Sequence, residues 1–175
     1  FNTDMDGFLE PIKRKEMEIK NSKILLLGAG GASRAIVAGF QKENAREITI
    51  VNRTKNNGDK LAEFSKELGL NASSKTIEDM DSFDSDFDFI VNASSLGLKN
   101  ENNIIPEKLF DEKTTVYDIV YKPVKTDFIN KAKEKNCKII FGYEMLLGQA
   151  IRSFEIWLDR KAPYDVMKRS ILGGF

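Results

Sequence analysis

A chain of 175 residues, 41% of them hydrophobic, suits one domain, or one domain plus an appendage, with a real core. Its 27 basic and 27 acidic side chains cancel, which leaves no field to draw nucleic acid or an anionic membrane surface. One cysteine, Cys137, excludes an internal disulfide and a thiolate metal cluster, and the absence of histidine removes imidazole as base, metal ligand or partner of a serine nucleophile. Acid–base work must therefore fall to Asp, Glu, Lys or Tyr, and no metal site is expected. No apolar run is long enough to span a bilayer and no signal peptide is visible, so the expected setting is reducing and cytoplasmic. The chain opens at Phe1 without an initiator methionine, and is expected to be a piece of something longer.

In chain order, residues from about Asp6 to Lys20 read as a charged amphipathic helix, with Pro11 near its start as a first turn tolerates. Ile24–Leu27 is the first apolar strand, and Ala32–Lys42 the helix after it. Ile48–Val51 is a second strand, followed by a helix over Asp59–Leu68. Phe87–Val91 is a third, entered from the acidic stretch Asp79–Asp88, and Asn100–Asn103 reads as a polar loop. Thr115–Val120 and Lys138–Phe141 are further strands with helical spacing over Asp127–Lys135 between them, and Cys137 reads as a small buried hydrophobe. Met145, Leu146, Ala150, Phe154, Trp157 and Leu158 recur at helical intervals, a packing stripe, and Pro163 can open a last helix that ends before Gly173-Gly174. Strands alternating with helices imply βαβ units: an α/β, Rossmann-like doubly wound sheet, mainly parallel, with helices on both faces. Continuous apolar strands fit a sheet covered on both sides.

The run from Lys23 to Ala35 carries the most information. A strand stops at Gly28, a turn Gly28-Ala29-Gly30-Gly31-Ala32 follows, and Ser33 takes the third small position of the dinucleotide pattern as a helix opens. Gly28 makes the tight turn, Gly30 has no Cβ to obstruct a phosphate, and Gly31 adds room. The amides of such a turn and the positive helix end favour a diphosphate. At the end of the second strand, where an Asp or Glu would accept from a ribose 2′-OH, stands Asn52-Arg53-Thr54. Arg53 can grip a 2′-phosphate bidentately and Thr54 can add a hydroxyl donor, which points to NADP.

These motifs, with others in the same order, resemble the shikimate dehydrogenase family over nearly the whole chain. Asn2-Thr3-Asp4 with Gly7-Phe8 is similar to N-T-D-x-x-G-F, Gly28–Ala32 to G-A-G-G-A, and Asn52-Arg53-Thr54 to N-R-T. Asn92-Ala93-Ser94-Ser95-Leu96-Gly97 resembles N-A-T-x-x-G, Tyr117–Thr126 resembles Y-D-x-x-Y-x-P-x-x-T, and Gly142–Ala150 resembles G-x-x-M-L-x-x-Q-A.

The resemblance implies NADPH-dependent, reversible reduction of 3-dehydroshikimate to shikimate in aromatic amino-acid biosynthesis. It also implies an N-terminal substrate domain, carrying a catalytic lysine, that this sequence lacks. Asp4 matches the carboxylate that pairs with that lysine and touches substrate hydroxyls; hydride delivery to a ketone leaves an alkoxide that needs a proton, and a Lys–Asp pair can supply it. Tyr121 and Gln149 match substrate-contacting positions. Ile119 and Gly142 match positions lining the nicotinamide, and a strand-end glycine would let a flat ring lie on backbone. Ser94, at the carboxyl edge of its strand, is expected to line the cofactor groove with Asn92. Asn57 occupies a position that is often basic in NADP-specific members, so Lys55 or Arg53 alone must complete the phosphate clamp.

The expected organisation is a hinge helix over residues 1–20, a cofactor domain over 21–142, and C-terminal helices over 143–175 packing on the hinge. The fragment alone is expected to bind cofactor and to be nearly inactive. Two alternatives stay open: a quinate/shikimate dehydrogenase using NAD(P), and a non-catalytic dinucleotide-binding regulatory module. The oligomeric state is not legible.

Overall fold

The computed structural model describes residues 3–84, 86–94 and 105–173. Asn2, Ser95, Leu96, Gly97, the polar loop Asn100–Asn103 and Gly174 therefore lie outside the described residues. The chain runs α1 (Asp4–Arg14), β1 (Lys23–Leu27), α2 (Ser33–Lys42), β2 (Glu47–Val51), α3 (Lys55–Glu67), β3 (Asn71–Lys75), β4 (Phe89–Asn92), β5 (Thr115–Asp118), α4 (Asp127–Glu134), β6 (Lys138–Ile140), α5 (Gly142–Leu158) and α6 (Tyr164–Leu172). The strands form one parallel sheet in the order β3-β2-β1-β4-β5-β6. That is the doubly wound order, and the direction of winding reverses between β1 and β4.

Alternation along β1 explains why its run is apolar throughout. Ile24 and Leu26 face one buried layer with Phe8, Phe40 and Tyr117; Leu25 and Leu27 face the other with Met80, Ile90 and Phe128. The first layer is built on rings: Phe8 stacks on Tyr117 at 4.9 Å between centroids and meets Phe40 edge-on at 5.1 Å. Tyr117 is thus a core residue, and the residue after it, Asp118, ends the strand.

Three expectations need correction. The first helix is Asp4–Arg14, shorter and earlier than read, and Pro11 sits inside it beyond the first turn. Pro11 has no N–H for the Gly7 carbonyl, and that oxygen instead faces α5, where a Cβ on Gly148 would stand 2.8 Å from it. Residues 15–22 form turns, with Glu16 and Asn21 at positive φ. The third helix begins at Lys55, four residues before the reading placed it. Finally, β3 was not foreseen, because Asn71-Ala72-Ser73-Ser74-Lys75 is polar; as an edge strand it needs only Ala72 buried, and its polar side chains discourage pairing with another chain.

Helices α1 and α5 cross at closely fitted glycines. A Cβ on Gly7 would lie 2.8 Å from the Gln149 amide nitrogen and 3.0 Å from the Met145 carbonyl, so the helix backbones touch. Arg152 donates to Asp6 at 3.2 Å, Lys15 pairs with Glu144 at 3.1 Å, and the Arg14 guanidinium lies 3.7 Å above the Tyr164 ring. Among the described residues no helix is long and apolar enough to cross a membrane, and no group of three or more His, Cys, Asp or Glu side chains could hold a metal ion.

Candidate dinucleotide cleft and substrate edge

A cleft of about 330 Å³ opens over the carboxyl ends of β1 and β2, at the point where the winding reverses. Gly28, Ala29 and Gly30 form one wall, Asn52, Arg53, Thr54 and Asn57 another, and Ala93 and Ser94 a third, with Ile77 and Met80 as the apolar floor. Eight sequence-predicted cofactor residues are therefore gathered in one place. Gly31 and Ala32 flank the turn just outside it, while Ile119 and Gly142 meet each other at neighbouring strand ends.

The turn is held from within. Gly28 has φ +99°, and a Cβ there would lie 2.8 Å from the Ala93 carbonyl oxygen, so β1 and β4 come together only through a glycine. Ser33 is fully buried; its Oγ donates to the Gly28 carbonyl at 3.0 Å and accepts from the Gly30 amide at 3.1 Å. The Gly28 amide donates to the Val51 carbonyl at 2.8 Å and the Ala29 amide to Asn52 Oδ1 at 3.1 Å. The Gly31 and Ala32 amides make no hydrogen bond within the described chain, and they are among the donors open to an anion at this helix end. Gly30 and Gly31 are not sterically needed by the protein: the nearest atom to a Cβ on Gly30 is 3.9 Å away, and none lies within 4 Å at Gly31.

Asn52 is placed differently from a direct ligand contact. Its Oδ1 accepts from Ala29 and its Nδ2 donates to the Thr54 carbonyl at 2.8 Å, so it ties the glycine turn to the loop that carries Arg53. Thr54 is the N-cap of α3 but makes no side-chain cap, which leaves its hydroxyl available at the helix N-terminus. Lys55 is spent on Asp59 at 2.8 Å, and Asn57 is neutral, so Arg53 is the single cation among the described cleft-lining residues.

Gly142 also has a steric reason of its own to be glycine. A Cβ there would come within 2.7 Å of the Ile119 carbonyl carbon and closer still to the Val120 carbonyl. The residue lets the start of α5 pack on the end of β5; it is buried against the chain's own backbone.

Where α1 meets α5, Gln149 Nε2 donates to Asp4 Oδ1 at 2.6 Å, and Thr3 Oγ1 and Ser153 Oγ are 3.3 Å apart. The glycine crossing of α1 and α5 brings together two of the three expected substrate residues. Tyr121 lies on the loop after β5, half exposed. Sequence reasoning missed Asp118 as more than a motif letter. It is 1% exposed and accepts from Asn92, Val120 and Thr126. Burial pushes its carboxyl up to about 6, and those three hydrogen bonds pull the other way. The available signal was an aspartate closing an apolar strand with a threonine eight residues on.

Comparison with known proteins agrees with this geometry. The family model described as shikimate/quinate 5-dehydrogenase matches residues 10–118, and that of the shikimate 5′-dehydrogenase C-terminal domain matches residues 142–172. The shikimate dehydrogenase (NADP(+)) of Nitrosopumilus maritimus is 59% identical over the whole of this chain, which spans 64% of that protein's length. Shikimate 5-dehydrogenase from Thermus thermophilus, solved with NADP(H) and shikimate, is 32% identical with a TM-score of 0.84, covering 100% of this chain and 63% of its own. The enzyme from Listeria monocytogenes, solved with shikimate and NAD, is 29% identical with a TM-score of 0.89 over 97% of this chain and 62% of its own. The chain thus spans a little under two thirds of these relatives. From the cleft, the strand order and a family match over more than half of its residues, the chain belongs to the shikimate/quinate 5-dehydrogenase family.

Proposed function

We propose that the chain is the cofactor-binding part of an NADP-dependent shikimate dehydrogenase, interconverting 3-dehydroshikimate and shikimate in a cytoplasmic, reducing setting. The observation that carries this is the cleft with the turn beside it: amides at a helix N-terminus that have no partner within the described chain, two glycines the fold does not need, and an arginine where a ribose-binding carboxylate would favour NAD. The residues fit the cofactor. The Gly31 and Ala32 amides would hold the diphosphate, Arg53 and the Thr54 hydroxyl the 2′-phosphate, and Ile77 and Met80 give an apolar surface for adenine. Bound NADPH supplies the hydride for a ketone.

Asp4 and Gln149 act on the substrate side. Gln149 donates to Asp4 Oδ1 and so orients a carboxylate that would accept from a substrate hydroxyl or from a partner ammonium. In this reading that ammonium is a lysine from the part of the relatives' length that this chain does not span, and the Lys–Asp pair handles the proton that accompanies hydride transfer. Residues 1–20 serve as the hinge, 21–142 as the cofactor unit, and the last helices lock the hinge against it. Arg53 as the single cation among the described cleft-lining residues also keeps an NAD(P)-using quinate/shikimate dehydrogenase in view, since loss of one cation contact removes little from NAD.

The test combines binding and turnover. NADPH fluorescence should change on addition of the chain and revert when adenosine 2′,5′-bisphosphate displaces it, whereas shikimate and NADP should give only trace absorbance at the nicotinamide band. No fluorescence response from folded protein overturns the cofactor reading; full turnover by this polypeptide overturns the division of labour.

A further inference from the structure

Asp118 takes no direct part in the cleft, yet three segments that surround it converge on its carboxylate. Oδ1 accepts from Asn92 Nδ2 at 3.0 Å and from the Val120 amide at 3.1 Å, and Oδ2 accepts from Thr126 Oγ1 at 2.6 Å. These donors come from the end of β4, the loop after β5 and the N-cap of α4. Asn92 is committed in turn. Its Oδ1 accepts from the Ser94 amide at 3.1 Å and the Ser94 hydroxyl at 2.6 Å, and Ser94 lines the cleft. The Asn92 carbonyl accepts from the Ile119 amide at 3.0 Å. Thr126 Oγ1 accepts from Ile129 N at 3.2 Å, so its proton is directed to Asp118.

A carboxylate is the side chain that can accept three such bonds on two oxygens; an amide has one acceptor oxygen. Its presence is costly. The group is buried with its carboxyl pushed up to about 6, and an apolar residue would pack there with no such penalty. The cost makes sense if the bonds hold something in place that packing alone would leave loose. What they join are Ser94, which lines the cleft beside the glycine turn, and Ile119–Val120, packed against Gly142 beyond the cleft; a dinucleotide whose nicotinamide reaches past β4 to β5 would touch both.

We propose that Asp118 is a positioning residue for dinucleotide binding, which sets the Ser94 wall of the cleft in register with the Ile119–Val120 segment by acting through Asn92; this rests on the dinucleotide reading of the cleft. Its effect falls on the half of the ligand that reaches across β4 and β5, and spares the adenosine half at Arg53.

The experiment is calorimetric titration of the 175-residue chain and of Asp118→Asn with two ligands, NADP and adenosine 2′,5′-bisphosphate. The bisphosphate fills only the Arg53 end. Asp118→Asn should weaken NADP about tenfold, the scale of one charge-assisted bond in a buried network, and leave the bisphosphate within about twofold. Equal weakening of both ligands, or a lowered melting temperature with both affinities unchanged, shows a purely structural role and overturns the proposal. If Asp118→Asn does not fold, Thr126→Val removes one of the three donors without touching the carboxylate, and should show the same split at about threefold. Absence of the split there overturns the proposal equally. A parent chain that binds neither ligand overturns the dinucleotide reading itself, and the proposal with it.

Discussion

The glycines of the first turn separate into those the protein needs and those only a ligand needs, and substitution by alanine distinguishes them. At Gly28, φ is +99° and a Cβ would meet the Ala93 carbonyl oxygen at 2.8 Å, its carbon at 2.9 Å and the Ser94 nitrogen at 2.9 Å. All three are backbone atoms, so β4 must move. The conformational penalty is about 1–2 kcal/mol and the overpacking about 1–3 kcal/mol. Gly28→Ala should therefore lose about 3 kcal/mol, or about 6–12 °C in melting temperature for a domain of this size. At Gly30 the nearest atom to a Cβ is 3.9 Å away, and its φ lies outside the left-handed region. Gly30→Ala should keep its stability or gain about 0.4–1 kcal/mol from a less flexible unfolded chain. If a diphosphate lies against that backbone, the same methyl should weaken NADP about tenfold. Thermal melts paired with calorimetric titration read both quantities on each variant. A Gly30→Ala protein that binds NADP as the parent does would refute the diphosphate cradle, and a Gly28→Ala protein as stable as the parent would refute the steric account of the turn.

Arg53→Ala should weaken NADP by about 1.5–3 kcal/mol and NAD far less, read by titration with each nucleotide; equal losses would show that the guanidinium does not read the phosphate. For Asp118 the sign follows from its raised carboxyl, at about 6 in the folded chain against about 3.9 unfolded. Between those values the folded state holds a proton that the unfolded state has lost, so this group's contribution falls as pH rises and is lowest above about 6. In urea unfolding, the stability of Asp118→Asn relative to the parent should rise by about 2 kcal/mol from pH 4 to pH 7, and parallel pH profiles would contradict the burial of an ionisable group there. Gly148→Ala places a Cβ 2.8 Å from the Gly7 carbonyl oxygen and 3.0 Å from Glu10 Cβ, so it should cost about 1–3 kcal/mol and part Gln149 from Asp4 while NADP affinity holds. Loss of NADP affinity in step with stability would show that the α1–α5 crossing also shapes the cleft.

Much of this was legible because chemistry and pattern coincide in the chain. The apolar runs at Ile24, Ile48 and Phe89 are strands since each is buried on both faces, and the glycine turn is visible because β1 must approach β4 through Gly28. Arg53 could be read from its place after β2, and the structure sets it in the cleft with Thr54 and Asn57. The edge strand β3 was invisible because its burial is too slight to impose a pattern. The early start of α1 was missed because Pro11 reads as a helix opener; its lost hydrogen bond falls at Gly7, in a close helix crossing that no local spacing reveals. For Asn52 and Gly142 the structure adds a role that the sequence does not reveal: the one spends its amide on tying two loops, the other admits a neighbouring backbone. Contacts between segments distant in sequence decide such roles.

The most direct test of the central claim, that the cleft at the β1–β4 reversal holds a dinucleotide by its 2′-phosphate, is calorimetric titration of the unaltered chain with NADP and then with NAD. NADP should bind at least about tenfold more tightly, the equivalent of about 1.4 kcal/mol from the extra phosphate. Well-folded protein that gives no heat with either nucleotide, or equal heats and affinities with both, would contradict it.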